Sequence, residues 1–137
     1  MQKRSAPVPS PRYVWLVCGL AVLVLDTVGS LAARHWPFPY QNLSGISYLI
    51  YFCAGVGGGR LAGIWAGGIA GGVTALADAT LGRAISIALG VVEQTGPPHR
   101  ALGVAMVVAI AVLTGWAMGL LGGLLGQHVH RAFGEDA

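Results

Sequence analysis

From Leu102 to Gly126 the chain runs for 25 residues without a charged side chain. No soluble helix needs so long a stretch apolar on every face, whereas crossing the hydrocarbon core of a bilayer takes ~20 such residues, within a range of roughly 17 to 25. Three further runs share this character. Tyr13–Ala33 is interrupted only by Asp26, Leu43–Gly59 by no charge, and Leu61–Gly90 by Asp78 and Arg83. Backbone polar groups find no water in lipid, so each run is expected to satisfy them internally as a helix.

These runs predict an all-α, polytopic integral membrane protein. Four transmembrane helices, at about 13–33, 43–59, 61–90 and 102–126, form an antiparallel bundle. A basic segment, 1–12, precedes the transmembrane domain (13–126), and a short tail, 127–137, follows it. Composition agrees: charged residues make up 9% of the 137, against roughly 25% in soluble domains, which is too few to keep a soluble surface dispersed. The third run exceeds a single span, so it tilts, breaks near Gly82 or projects beyond the membrane.

The connections have loop chemistry. Arg34-His35-Trp36-Pro37-Phe38-Pro39-Tyr40 combines helix-stopping prolines with aromatics suited to the headgroup layer, and Asn42 or Ser44 is placed to cap the second helix. Gly57-Gly58-Gly59-Arg60 is expected to form a tight hairpin, and Gly96-Pro97-Pro98 a break. With both termini on one side, Lys3, Arg4, Arg12, Arg60 and Arg131 fall there, and Arg34, Arg83 and Arg100 fall opposite. The positive-inside rule then predicts a cytoplasmic-membrane protein with cytoplasmic termini. A basic start followed by an apolar stretch also resembles a cleavable signal, but Asp26 interrupts that stretch before the small residues Ser30, Ala32 and Ala33.

Glycine supplies 22 of the 137 residues, about twice its usual ~7%, with neither a collagen period nor a disordered context. Gly63, Gly67 and Gly71 are spaced by four, as are Gly68 and Gly72. The fourth run repeats the device with Gly115, Gly119 and Gly123, and with Gly122 and Gly126. Residues four apart share a helix face, and small residues there let helix backbones approach closely in lipid. Glycine-mediated packing is expected either within the monomer or against another subunit.

Asp26 and Asp78 are what packing alone does not explain. A carboxylate at the centre of a span costs ~2.5–3.5 kcal/mol even on the insertion scale, so each is expected to face protein. Asp78 continues the face of Gly71 and Thr74, and Asp26 shares one with Gly19, Gly29, Ser30 and Ala33. Helix rise puts them at similar depth, roughly 20 and 25 Å from the cytoplasmic end. Arg34 and Arg83 lie just beyond, where long side chains lean towards a buried acid. Asp78 and Arg83 stand ~140° apart on a straight helix, so an Asp26–Arg83 pairing is easier. The expected cluster is Asp26, Asp78, Arg83 and Arg34, acting as a structural clamp or as a site for a proton, ion or solute.

Other chemistry is thin. The sequence contains no nucleophile elbow, HExxH helix or phosphate loop, so neither an enzyme nor a catalytic residue is expected. His128 and His130, in the tail, fall short of a metal site, and His35 and His99 belong to the opposite loops. Cys18 and Cys53 are expected to be packing residues rather than a redox pair. No cofactor is implied, and the scattered basic residues give no nucleic-acid stripe. The expected partners are the lipid bilayer and either further copies of the chain or another membrane protein. The leading expectation is a non-enzymatic accessory or scaffold subunit packing on other transmembrane helices. The alternative is a small homo-oligomeric transporter or channel using the intramembrane acids.

Overall fold

The computed structural model describes residues 11–35, 44–90 and 100–133. They form four helices and, among the described residues, no strand: α1 (Pro11–His35), α2 (Ser44–Ala62), α3 (Ile64–Ala88) and α4 (Arg100–Phe133). Over Arg12–His35, Ile64–Ala88 and Leu102–Ala132, three of them are long and apolar enough to cross a membrane. The fourth, α2, has 19 residues rich in serine, tyrosine and glycine and does not join that set. Lys3 and Arg4, the Trp36–Tyr40 loop, Asn42, the Gly96-Pro97-Pro98 break, His99 and Glu135-Asp136 lie outside the described residues.

Two boundaries differ from the sequence expectation. The Gly57-Gly58-Gly59-Arg60 hairpin is instead helix, because α2 continues to Ala62 and the chain reverses at Gly63. That residue has φ 88° and ψ 178°, a region essentially restricted to glycine. Gly58 and Gly59 are buried packing residues: a Cβ on Gly58 would lie 2.8 Å from the Ala66 carbonyl oxygen, and one on Gly59 would strike the backbone of Gly123. Consecutive glycines signal a turn in water, but where no water competes for the backbone they stay helical. The last helix likewise passes Gly126 and runs to Phe133, so His128, His130 and Arg131 lie on its final turns rather than in a tail. From Gln127 to Phe133 no glycine or proline stops it.

The third run does not break at Gly82. It winds as α-helix over Ile64–Ala77, as a π-helical turn over Asp78–Gly82 and as α-helix again over Arg83–Ala88. Arg83 N–H donates to the Asp78 carbonyl, five residues back, which is the π pattern. The straight-helix premise that set Asp78 and Arg83 ~140° apart therefore does not apply here. Beyond Ala88 the helix ends at Gly90, with φ 71°.

The bundle has a turn end, where α1 begins, α2 gives way to α3 and α4 finishes, and an opposite far end. Near the turn end α2, α3 and α4 meet backbone to backbone. A Cβ on Gly67 would lie 2.7 Å from Gly55 O, 2.7 Å from Gly123 Cα and 2.8 Å from Gly119 O. Three helices thus converge on one hydrogen-sized side chain. Gly71 abuts Gly115 and Gly119, while Gly122 and Gly126 abut Phe52 and Val56. On the outer side of this junction, Trp116 and Leu120 cover Gly68, and the Trp65 and Trp116 rings lie 6.2 Å apart.

The first helix is more peripheral and lies on α2 and α3, with Val14 set against Gly57. A small apolar centre of Val22, Tyr51 and Ala75, flanked by Ile50 and Met118, joins it to the other three. Outward faces carry Leu16, Leu20, Trp65, Leu102, Ile110 and Leu113, all exposed. So much continuous apolar surface needs an apolar solvent or a partner.

Candidate functional site

The polar interior of the bundle lies where α1, α2 and the far half of α3 meet, and helical spacing of four builds each wall. One helix face carries Val22, Asp26 and Ser30; another carries Ser47 and Tyr51; the third carries Thr74, Asp78, Gly82 and Ser86. Each spacing stacks its residues on one side of a helix. Ser30, Ser47, Thr74 and Ser86 are all buried, and Asp26 is 4% exposed.

Gly82 is the point around which the acids gather. A Cβ added there would overlap Asp26 Oδ2 and stand 3.1 Å from Asp78 Oδ1. The two carboxyl groups, from α1 and α3, therefore approach to within about 5 Å of each other around Gly82. Asp78 uses its other oxygen, Oδ2, to accept a hydrogen bond from the Tyr51 phenol on α2. Ser47 and Asp26 also lie within interaction range of that phenol, and the Tyr48 ring meets Tyr51 edge-on with centroids 6.0 Å apart.

A second polar contact lies one helical turn further towards the far end. Ser30 Oγ and Ser86 Oγ are 3.1 Å apart and hydrogen-bonded, and Ser86 Oγ also lies 3.1 Å from the Gly82 carbonyl to which it can donate. This pair ties α1 to the last segment of α3. Thr74, by contrast, closes its hydroxyl on the Ala70 carbonyl of its own helix at 2.8 Å, so it contributes no link between helices.

Of the four residues expected to cluster, the buried Asp26 and the half-buried Asp78 meet around Gly82. Arg34 and Arg83 have exposed side chains. The expected packing glycines Gly67, Gly71, Gly115, Gly119 and Gly123 are buried between helices, and Gly63 forms the turn. Cys18 and Cys53 are free thiols.

Tyr51, Ser47 and Ser86 were not singled out from the sequence. The available signal was polar residues four apart, Ser47 with Tyr51 and Asp78 with Gly82 and Ser86, on faces that otherwise look like packing. The donor set around Gly82 is oxygen only: two carboxyls, a phenol and hydroxyls. Such a set suits protons and hard cations. Among the described residues no group of three or more His, Cys, Asp or Glu is placed to hold a metal ion.

No protein-family model, no curated protein and no solved structure matches this chain.

Proposed function

We propose that this chain is a four-span membrane protein that acts as a small homo-oligomeric transporter or channel. The Asp26–Asp78 pair takes up a proton or a small cation. One observation carries the reading: both carboxyl groups reach the space left by the missing side chain of Gly82. Two carboxyl groups that reach one space from different helices form a site that a proton or a small cation can bridge. What supports α2 as a fourth span is the burial of Ser47, Tyr51, Ala54 and Gly55 against the other helices. The orientation with cytoplasmic termini rests on the distribution of arginines.

A scaffold subunit would offer its glycine faces to another helix. Those faces are occupied within the chain: Gly55, Gly59, Gly67, Gly71, Gly115, Gly119 and Gly123 all abut neighbouring backbone. What still favours a partner is the far part of α4, where Leu102 to Val107 are all exposed. Four thin helices enclose little by themselves, so a homo-oligomer supplies both that contact and room for a conduction path.

Thermal unfolding in mild detergent tests the site, since a ligand bound only by the folded state raises the midpoint by mass action. The wild type is expected to gain stability with rising concentration of one small cation or of protons, and Asp26→Asn and Asp78→Asn to lose that dependence. If wild type and both variants respond alike, the pair is not the binding site.

A further inference from the structure

The π-helical turn Asp78–Gly82 interrupts α3 beside the two acids. It divides α3 into two segments with different attachments. The first, Ile64–Ala77, is locked to α2 and α4 by backbone contacts at Gly67 and Gly71 and by Ala75 against Gly115. The second, Arg83–Ala88, is attached to α1 through Ser30 and Ser86, and Gly82 receives the Asp26 carboxyl. Asp78 opens the turn and belongs to the locked side, through Tyr51 of α2. The two carboxyl groups thus stand on opposite sides of a joint.

A π turn holds five residues between bonded groups where an α turn holds four. Converting between the two changes the angle of everything that follows, since one residue corresponds to ~100° of helix rotation. Single π turns are found often at functional sites.

We propose that this turn is a hinge through which site occupancy moves α1 and Arg83–Ala88 as one unit against the fixed body of α2, Ile64–Ala77 and α4. The proposal rests on the reading of Asp26 and Asp78 as a proton or cation site. With the site filled the acids stay together and the turn keeps its π form. With the site empty they separate, and rewinding of the turn takes up the displacement. The ionisable groups at the joint are Asp26 from α1, Tyr51 from α2, and Asp78 with the exposed Arg83 from α3. From Leu102 to Gly126, α4 supplies none.

Pulsed electron paramagnetic resonance on the full-length protein tests the hinge, with Cys18 and Cys53 replaced by serine. One label pair sits at the exposed positions Ala84 and Ile110, across the joint; a control pair sits at the exposed Ile69 and Leu125, within the fixed body. The Ala84–Ile110 distance is expected to shift between acid and alkaline pH, or with and without sodium, while the Ile69–Leu125 distance holds. Asp78→Asn is expected to abolish the shift. Deleting Ala79, which shortens the turn by one residue, is expected to fix the Ala84–Ile110 distance at one value with the control distance intact. An unchanged Ala84–Ile110 distance in a protein that still takes up protons or sodium overturns the hinge and leaves the site standing. Absence of both uptake and movement overturns both.

Discussion

At Gly82 a single hydrogen atom in place of a side chain leaves room for Asp26 beside Asp78, and the stability consequences follow from which charges meet. If each acid were pinned by an arginine, removing its charge would strand a buried partner and cost about 3–5 kcal/mol. In the arrangement proposed here, Asp26→Asn or Asp78→Asn relieves a like-charge contact and keeps the shape of the side chain. Each variant is therefore expected to unfold at the same or higher denaturant concentration than the ligand-free wild type. Arg34→Ala and Arg83→Ala, at exposed positions, are expected to stay within about 0.5 kcal/mol. Equilibrium unfolding in detergent checks all four variants. Asp26 and Asp78 stand out in the sequence because a charge inside an apolar run is costly. Tyr51 does not, since a tyrosine in such a run also suits the headgroup layer, and only the fold turns its phenol onto Asp78. Arg34 and Arg83 belong to the expected cluster by their depth along the chain, and both are exposed in the fold.

Among the elements, the glycines sort by what surrounds them. Gly67→Ala would drive a methyl group into three backbones and is expected to cost at least about 1–3 kcal/mol, as overpacking does. Gly63→Ala is expected to cost about 1–3 kcal/mol for a different reason, a backbone conformation closed to alanine. Gly103 has open space around it inside α4, so Gly103→Ala is expected to stabilise by roughly 0.5–1 kcal/mol through helix propensity. A series that failed to rank this way in detergent unfolding would remove glycine contact as the basis of packing. The four helices themselves were legible from their apolar runs. Their ends were less so, because Gly57-Gly58-Gly59 has turn composition but serves as a contact face of α2. The π turn was legible only as a weak point: Asp78, Thr80 and Gly82 are poor helix formers, but their spacing does not say that the helix continues with one extra residue.

For the molecule as a whole, three helices have the length and apolarity to cross a bilayer, and the proposed four-span threading makes a definite statement about sidedness. In a cysteine-free background, Arg60→Cys is expected to react with an impermeant maleimide only from the cytoplasmic side, and Arg34→Cys only from the opposite side. The same pattern on inverted vesicles would exchange the two. Labelling of both positions from one side would contradict the threading. Apolar length fixes how many helices can span and the arginines suggest their direction, but neither reveals what the interior binds. The proposed site rests on α1 and α3 meeting around Gly82.

The most direct test of the acid pair is flux through the purified protein reconstituted in liposomes, measured with a pH-sensitive dye and with radioactive sodium under an imposed gradient. The account predicts protein-dependent movement of protons or sodium that falls at least tenfold in Asp26→Asn and in Asp78→Asn, while Arg83→Ala retains it. No flux above that of empty liposomes, or equal flux in wild type and both asparagine variants, would contradict it.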